Sequence, residues 1–389
     1  MTEGRWQVPL SDVATDDELV HAAADTVASG WWSMGPRVAE FEQAFAELCG
    51  SRHALAVANG TAALHLALLA VECGPGDEVL VPSLNFVAAA NTIAHTGATP
   101  VFVDIAGDDD LNMDPADVEA AIGPRTKAIV VLHYGGYASD VEAIGRLADE
   151  RGLVVVEDAA HAPGADANGR RCGTFGAIGC FSFFSNKNLP VGEGGMMVTD
   201  DDDLRERLRL LRSHGMTTLT WDRHRGHAHS YDVVTQGFNY RLDEIRAALG
   251  LVQLRRLPGE NAGRREISAR YRRALHGTAG ITMPFPDPEA QLASSHHLAV
   301  VLLPKGVDRL AVRTRLEERR IQTSVHYPPI HTFSAYEELG ARRPLPRTDA
   351  VAGRLLTLPL YAALTDEQVD TVVRELVEAV EAAQPAAAA

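Results

Sequence analysis

A single lysine, Lys187, stands between an apolar run and three glycines in the segment 181-FSFFSNKNLPVGEGGMM-197. A buried lysine with a lowered pKa is a nucleophilic amine, and such an amine can form a Schiff base with a carbonyl compound. A lone lysine after a β-strand is more often a plain surface residue. The interpretation of Lys187 therefore depends on the residues predicted to lie near it.

A second segment, 153-LVVVEDAAHAPGA-165, ends an apolar run with Glu157 and Asp158, and His161 follows soon after. A carboxylate at that position can pair with a protonated ring nitrogen, which is the electronic requirement of pyridoxal phosphate. The same carboxylate could instead bind Mg²⁺ or cap the next helix. This segment alone leaves all three interpretations open.

Two further segments suit a phosphate and a planar ring. In 58-ANGTAALHLALL-69, Gly60 permits a tight turn and Thr61 opens a helix whose free N–H groups and dipole favour an anion. In 82-PSLNFVAAANTI-93, Phe86 follows a strand and could stack on a ring. Alone, these segments are typical of a helix cap and a core aromatic. Together with the amine and the carboxylate they make a cofactor site the better interpretation.

These residues all follow predicted strands, which alternate with amphipathic stretches. The predicted strands cover 54–58, 78–82, 100–104, 127–133, 153–157, 179–184 and 195–199, and helices are predicted over 61–72 and 140–152. Strands that are apolar almost throughout and separated by helices indicate a mostly parallel α/β sheet covered on both faces. Ligands bind beyond the carboxyl ends of such strands, where the candidate residues lie.

The pattern changes after about residue 240. A long helical segment over 241–257 leads into a region with the β-rich stretches 296–303 and 322–327, a charged helix near 308–320 and a final helix near 366–383. We therefore predict a large α/β domain over residues 1–250, a smaller α+β domain over 251–384 and a disordered tail over 385–389. No internal repeat is present.

Charge and composition exclude several classes of protein. The formal net charge of −16 argues against nucleic acid or an anionic membrane as the main partner. The four cysteines show neither CxxC spacing nor a dense framework, which indicates a reducing compartment. Because no basic start precedes an apolar run and no apolar stretch reaches about 18 residues, we expect a cytoplasmic protein.

The ordered motifs resemble those of the DegT/DnrJ/EryC1/StrS family of pyridoxal-phosphate sugar aminotransferases, within the type I (aspartate aminotransferase) fold. The resemblance runs from about Gly30 to the last helix, and its most specific blocks are GTAALHLAL (60–68), EDAAHAPGA (157–165), FSFFSNKNLPVGEGGMM (181–197), GFNYRLDEIRAALGLVQL (237–254), HYPPIH (326–331) and LPLY (358–361). It implies a mostly parallel seven-stranded sheet with a smaller α+β C-terminal domain. Asn59 and Asn85 depart from the Ser and Thr that are common in the family.

The resemblance also implies roles for individual residues. Lys187 forms a Schiff base with pyridoxal 5'-phosphate and shuttles the proton, Asp158 pairs with the pyridine nitrogen, and His161 lies near the phenolic oxygen. Phe86 stacks on the ring. The phosphate is held by Gly60, Thr61, Ser182 and, from the partner subunit of a homodimer, Asn239. Relatives with His in place of the lysine are dehydratases, so Lys187 favours transamination.

The segment 212-RSHGMTTLTWDRHRGHAHSYD-232 concentrates basic residues in an acidic protein. Arginines match phosphate oxygens bidentately, so Arg223 and Arg225 are predicted to bind the diphosphate of a nucleotide-sugar, although a solvated loop is the alternative. The histidines of this loop show no metal-ligand spacing, and we expect no metal site. The resemblance places Arg241, His326, Tyr327 and His331 in the sugar and donor pocket.

The predicted activity is transfer of an amino group from glutamate or glutamine to a keto-sugar on a nucleoside diphosphate, for a secondary metabolite or a surface glycan. C-4 of a 4-keto-6-deoxyhexose is the first choice and C-3 the next. Cyclitol aminotransferases and aminohydroxybenzoate synthase-like enzymes share these motifs and stay open. A cofactor-binding regulator without turnover is a further alternative, but the presence of both Lys187 and Asp158 argues against it.

Overall fold

A computed structural model describes residues 6–218, 230–340 and 343–384 of the chain. Its strands are β1 (His53–Val57), β2 (Glu78–Pro82), β3 (Thr99–Val103), β4 (Thr126–Leu132), β5 (Val154–Asp158), β6 (Asp166–Ala167), β7 (Arg170–Arg171), β8 (Ile178–Ser182), β9 (Gly195–Thr199), β10 (Ala299–Leu302) and β11 (Leu355–Leu358). Seven of them form one sheet in the order β1-β9-β8-β5-β4-β2-β3.

The sheet is mainly parallel, as predicted. Strand β2 pairs in parallel with β3 and β4, β4 with β5, and β5 with β8, whereas β9 runs antiparallel to both β8 and β1. The fold class inferred from the alternating pattern is thereby confirmed. The carboxyl ends of β2, β4, β5 and β8 consequently share one edge of the sheet.

The helices are α1 (Asp17–Ala28), α2 (Pro36–Cys49), α3 (Gly60–Ala70), α4 (Ala88–His95), α5 (Pro115–Ala121), α6 (Val141–Arg151), α7 (Asp202–Arg212), α8 (Glu244–Leu275), α9 (Pro288–Ala293), α10 (Arg309–Glu318), α11 (Glu337–Gly340), α12 (Pro346–Ala352) and α13 (Asp366–Ala383). Short 3₁₀ turns cover Tyr134–Gly136 and Ile330–Thr332. In α6, Asp140 caps the N-terminus and Gly152 ends the helix with φ of 65°, as the sequence predicts.

Both faces of the sheet are covered, because alternate residues of each strand point to opposite sides. On one face, Val81 of β2 joins a buried cluster with residues of α3 and α4. On the other face, Leu80 of the same strand joins a cluster with residues of α5 and α6, and Ala56 of β1 joins one with residues of α2 and α8. This layering leaves the strand ends as the accessible part of the sheet.

Helix α8 passes through the predicted boundary at residue 250. Its N-cap is Asp243, and it continues past Pro258 to Leu275, where its second half packs in a separate buried cluster with β10, β11, α10 and α13. The N-terminal Val8 belongs to that C-terminal cluster, and its carbonyl accepts a hydrogen bond from the Gln322 N–H. The division into two domains at residue 250 stays a prediction.

Two smaller expectations can be compared directly. The stretch 322–327 forms no strand and contributes only an isolated bridge between Ser324 and Thr357. Within the described residues, no helix combines the length and the apolarity needed to cross a membrane. The predicted tail, residues 385–389, lies outside the described part of the chain.

Candidate active site

A cavity of about 420 Å³ lies where β5 and β8 end, beside the start of α3. Nine of the residues predicted for the site line this cavity: Gly60, Thr61, Phe86, Asp158, His161, Ser182, Lys187, His326 and Tyr327. They come from five separate segments of the chain. The cavity is therefore assembled by the fold rather than by one local motif.

Lys187 lies in the turn that follows β8, and its backbone N–H donates to the carbonyl oxygen of Phe184 over 2.9 Å. Desolvation lowers the pKa of its amine to about 8, although the nearby Asp158 carboxyl acts in the opposite direction. About a tenth of such an amine is unprotonated at pH 7. Lys187 therefore meets the requirement for a nucleophile.

Asp158 ends β5 and is only 5% exposed. Its carboxyl accepts a hydrogen bond from the Ala160 N–H over 3.3 Å. Burial raises the pKa of this carboxyl, and the opposing influences include the Ala160 N–H, the Lys187 ammonium and the Asn85 amide. A cationic ligand in the cavity would also lower the pKa of Asp158, because it stabilises the carboxylate form.

His161 and Tyr327 are joined by a hydrogen bond whose direction follows from their neighbours. The backbone N–H of Gly135 donates to His161 Nδ1 over 3.3 Å, so Nδ1 is the acceptor and the proton of the neutral ring is on Nε2. Burial lowers the pKa of His161 well below its ordinary value, which keeps the ring neutral. Nε2 lies 2.8 Å from the Tyr327 hydroxyl oxygen and donates to it.

Tyr327 therefore accepts from His161 and keeps its own hydroxyl proton for a ligand, since burial raises the pKa of the phenol. The adjacent His326 bonds through Nδ1 to the Thr357 hydroxyl over 3.0 Å. Burial, with the charge of Lys187, lowers the pKa of His326 to about 4. His326 is therefore an uncharged polar group at neutral pH.

The start of α3 forms the end of the cavity that is suited to bind an anion. Asn59 caps the helix by accepting from the Ala62 N–H over 2.8 Å, which leaves the first N–H groups, those of Gly60 and Thr61, without an intrahelical acceptor. A Cβ atom added to Gly60 would lie 2.8 Å from the Cβ of Ser182. Only glycine therefore allows the helix start to approach the end of β8 this closely.

Phe86 presents its ring at the cavity wall with 54% of the side chain exposed. Its ring centroid is 5.8 Å from that of Tyr327, and the two planes are tilted by 50°. The backbone N–H of Phe86 donates to the side-chain oxygen of Asn85 over 2.6 Å. An exposed aromatic face held by a local hydrogen bond is suited to stacking on a planar ligand.

A buried polar cluster of Glu157, His133 and the 173–176 turn anchors the end of β5. Glu157 is fully buried and accepts from His133 Nε2 over 2.9 Å, from the Gly173 N–H over 2.7 Å and from the Gly176 N–H over 2.6 Å. The Ser139 N–H donates to His133 Nδ1, which places the ring proton on Nε2. This cluster fixes the strand residue that immediately precedes Asp158.

Of the predicted site residues that the structure describes, three do not line the cavity: Asn239, Arg241 and His331. Asn239 is exposed and bridges to Ser213, while Arg241 bridges to Val57 at the edge of the sheet. His331 is held between the Ser83 hydroxyl, 2.7 Å from Nδ1, and Asp349, 3.0 Å from Nε2. The other two predicted site residues, Arg223 and Arg225, lie outside the described residues.

Ten further residues line the cavity without having been assigned to the site from the sequence, and the polar side chains Asn85, Asn186 and Glu193 are among them. The side-chain oxygen of Asn186 is buried and has no hydrogen-bond partner among the described residues. Asn186 and Glu193 flank Lys187 in the glycine-rich segment, so proximity to the lysine was the available signal. Asn85 is the position at which the chain departs from the common Thr.

The structure describes the ranges 6–218, 230–340 and 343–384, and these contain no cluster suited to a metal ion. No group of three or more His, Cys, Asp or Glu side chains there is arranged to hold a metal ion. Of the four loop histidines, His214 is described, whereas His224, His227 and His229 lie outside these ranges.

Comparison with known proteins gives consistent results across the chain. A profile of the DegT/DnrJ/EryC1/StrS aminotransferase family matches residues 13–377. The spore coat polysaccharide biosynthesis protein SpsC of Bacillus subtilis (strain 168) is 41% identical over 383 residues, which cover 97% of this chain and 98% of SpsC.

Solved structures agree with the sequence comparison. The aminotransferase TlmJ from Streptoalloteichus hindustanus is 39% identical, with a TM-score of 0.89 over 97% of this chain and 99% of TlmJ. Spr1654 from Streptococcus pneumoniae, solved in a PLP form and a PMP form, is 28% identical, and the two forms have TM-scores of 0.89 and 0.90. Both comparisons with Spr1654 cover 97% of this chain and 100% of that protein.

Proposed function

Because the chain belongs to the DegT/DnrJ/EryC1/StrS aminotransferase family, we propose that it transfers an amino group from glutamate or glutamine to a keto-sugar carried on a nucleoside diphosphate. It is a pyridoxal-phosphate-dependent sugar aminotransferase of amino-sugar biosynthesis. The finer proposal is that the acceptor carbon is C-4 of a 4-keto-6-deoxyhexose. One observation carries the proposal: Lys187 and Asp158 meet at a single cavity and influence each other's charge.

The residues of the cavity fit pyridoxal 5'-phosphate. The close approach of Gly60 to Ser182 makes a cradle that a Cβ atom would fill, and the side-chain nitrogen of Asn85 is buried without a hydrogen-bond partner among the described residues. Asp158 offers a buried acid and Lys187 an amine of lowered pKa. When bound, the cofactor supplies an aldehyde that reacts with amines and a ring that withdraws electrons from the carbon exchanging its proton.

Lys187 has two proposed tasks. Its amine would hold the cofactor covalently through the aldehyde, and desolvation favours such a link because it raises the unprotonated fraction. Lys187 Nζ would also accept and return the proton at the carbon that exchanges its amino group. A position in the turn after β8 suits both tasks, since Nζ stays within one cavity throughout.

Asp158 is proposed to hold the ring nitrogen protonated, with its carboxylate buried at the end of β5. His161 is proposed to lie near the phenolic oxygen, and its Nε2–H orients the Tyr327 hydroxyl. The proton of that hydroxyl is then free to be donated to the cofactor or the substrate. Phe86 stacks on one face of the ring and excludes water from it.

The phosphate is proposed to bind the N–H groups of Gly60 and Thr61 and the hydroxyl of Ser182. Asn239, exposed and outside this chain's own cavity, is proposed to reach the phosphate in the partner subunit of a homodimer. Exposed apolar side chains at the cavity support a covered surface there: Phe86 and Phe184 both line the cavity and are 54% and 44% exposed.

A hydroxylated substrate suits the polar groups around Lys187. The side-chain oxygen of Asn186 is an unused acceptor, and Glu193 is a second acceptor at the cavity wall. Tyr327 and His326 are proposed to complete the sugar pocket with uncharged polar groups. The role of SpsC in polysaccharide biosynthesis supports a sugar as the acceptor.

The remaining substrate contacts are proposed from the sequence. Arg223 and Arg225 bind the diphosphate, and Arg241 and His331 contribute to the sugar and donor pocket. Since His331 uses both ring nitrogens on Ser83 and Asp349, its contribution is to hold the 326–331 segment in place.

The test is a two-part reaction of the purified protein reconstituted with pyridoxal 5'-phosphate. Glutamate or glutamine should convert the yellow cofactor form to the colourless amino form, and a nucleotide-linked 4-keto-6-deoxyhexose should restore it with formation of an amino-sugar. If a cyclitol ketone restores the yellow form and the nucleotide-sugar does not, the proposed acceptor is wrong.

The diphosphate contact has its own test. Replacing Arg223 and Arg225 together by Ala should raise KM for the nucleotide-sugar and leave the reaction with the amino donor unchanged. Arg37→Ala is the matched control, because Arg37 is exposed and pairs only with Glu40 in the described residues. An unchanged KM in the double variant removes these two arginines from the site.

A further inference from the structure

Asn85 lies in the loop after β2, and its side chain is oriented by its own backbone neighbour. Its side-chain oxygen accepts the Phe86 N–H over 2.6 Å. Because an N–H group can only donate, the atom facing it must be Oδ1, and Nδ2 must point the other way. Asn85 is 2% exposed and lines the cavity, so Nδ2 is directed into a region closed to bulk water.

The two donor hydrogens on Nδ2 are not used by the described residues. Nδ2 is buried and has no hydrogen-bond partner there. A buried amide donor without a partner costs free energy, so such groups in a folded protein usually indicate a contact made with a ligand present. Asp158 lines the same cavity as Asn85, and the Asn85 amide acts to lower the pKa of the Asp158 carboxyl.

Asp158 needs support that does not change during the reaction. Burial disfavours its carboxylate form, and the Lys187 ammonium is one of the influences that oppose burial. That influence depends on whether the Lys187 nitrogen is protonated. The Ala160 N–H and the Asn85 amide are neutral dipoles and are present at every stage.

We propose that Asn85 is a positioning residue that donates to the Asp158 carboxylate in the loaded enzyme, keeping it ionised and directed at the ring nitrogen of the cofactor. This inference rests on the proposed function. The same side chain holds the Phe86 backbone through Oδ1. One residue therefore positions both the aromatic ring proposed to stack on the cofactor and the carboxylate proposed to pair with its ring nitrogen.

The experiment compares two ligands that differ in one atom. Apo-protein is titrated with pyridoxal 5'-phosphate and with the deaza analogue in which a C–H group replaces the ring nitrogen. Both carry the aldehyde, the phosphate and the stacking face, but only the first needs an ionised Asp158. Asn85→Leu, of similar size but without a donor, should weaken binding of pyridoxal phosphate about tenfold or more and binding of the deaza analogue by no more than about threefold.

Ser83→Ala is the matched control in the same loop. The Ser83 hydroxyl bonds to His331 rather than to Asp158, so the ratio of the two affinities should stay at the wild-type value. Should Asn85→Leu not fold, Asn85→Ser replaces it: the short hydroxyl can still accept from the Phe86 N–H but does not reach Asp158. The same selective loss is expected.

The outcomes are distinct. A selective loss for pyridoxal phosphate supports the role of Asn85. An equal loss of affinity for both ligands shows that Asn85 acts only through Phe86 or the loop. If neither affinity falls, the Asn85 amide makes no contact that matters for binding. Either result overturns the inference. If the wild-type protein binds neither ligand, the proposed cofactor itself is wrong and the role of Asn85 falls with it.

Discussion

Lys187 in the apo-protein should react with a small aldehyde as an amine whose pKa is about 8, rather than the ordinary 10.5. Desolvation in the cavity is the main cause, because burial disfavours the ammonium form. The negative charge of Asp158 opposes this effect. Asp158→Asn should therefore lower the pKa of Lys187 further and shift the pH profile of labelling to lower pH.

The expected size follows from the two pKa values. At pH 7 about 10% of an amine with a pKa of 8 is unprotonated, against about 0.03% for a pKa of 10.5. Lys187 should therefore label about 300 times faster than it would with an unperturbed pKa, apart from differences in access. A difference of this size in labelling rate stays measurable even if the cavity moderately restricts access of the reagent to Lys187.

The assay is reductive methylation with formaldehyde and cyanoborohydride, followed residue by residue with mass spectrometry as the pH is raised. This reagent carries no ring nitrogen, so the result is independent of cofactor binding. Lys305, which is exposed, serves as the internal reference, and Asp140→Asn, also exposed, is the control for Asp158→Asn. Half-maximal labelling of Lys187 near pH 10, or a shift of the Asp158→Asn profile to higher pH, would refute the reasoning.

Three further variants test the rest of the site. Glu157→Gln replaces one of two accepting oxygens by a donor that faces buried donors, so it should lower the free energy of unfolding in urea by about 2–4 kcal/mol. Tyr327→Phe removes the acceptor of the His161 Nε2–H, and the unpaired group should cost about 1–3 kcal/mol in the same measurement. Gly60→Ala should displace Ser182 and weaken binding of pyridoxal phosphate about tenfold, while binding of pyridoxal without its phosphate changes little.

Two of these variants, Glu157→Gln and Gly60→Ala, have a counterpart elsewhere in the chain. Glu119→Gln affects an exposed pair with Arg151 and should change stability by less than about 1 kcal/mol. Gly145→Ala adds a methyl group that meets no atom within 4 Å in a helix, and should be neutral or stabilising. The interpretation of Glu157 is contradicted if Glu157→Gln and Glu119→Gln change the free energy of unfolding equally. The interpretation of Gly60 is contradicted if Gly60→Ala and Gly145→Ala have equal effects on phosphate-dependent binding.

The strands were predictable because the signal for each strand lies in a few consecutive residues. Apolar, β-branched runs that end abruptly at polar residues placed every strand of the large sheet to within two residues, and the adjoining ends then brought Asp158 and Lys187 to the same edge. Helix α8 was less predictable. The helical pattern suggested a start at 241 and an end at 257, but Asp243 caps the helix and packing carries it past Pro258 to Leu275.

Contacts between distant segments were not accessible from the sequence pattern. His161 and Tyr327 are 166 positions apart, and their hydrogen bond depends on how the C-terminal region packs over the strand ends. The orientation of Asn85 is similarly a consequence of tertiary structure, since the residue type alone does not show which way its amide points. Motif spacing identified the types of group at the site, whereas the directions of their hydrogen bonds required the structure.

The adjacent acids Glu157 and Asp158 show how one strand serves both stability and chemistry. Neighbouring residues of a strand point to opposite faces, so only one of the two can face the cavity. Glu157 faces inward and is held by His133 and by the backbone of the 173–176 turn, while Asp158 faces the cavity and lacks a comparable set of partners. Because Glu157 is covalently next to Asp158, the contacts of Glu157 fix the backbone from which the Asp158 carboxyl projects. Of these two acids, the one with fewer partners is thereby attached to the one with more, which leaves Asp158 available to pair with the cationic ring nitrogen proposed for the site.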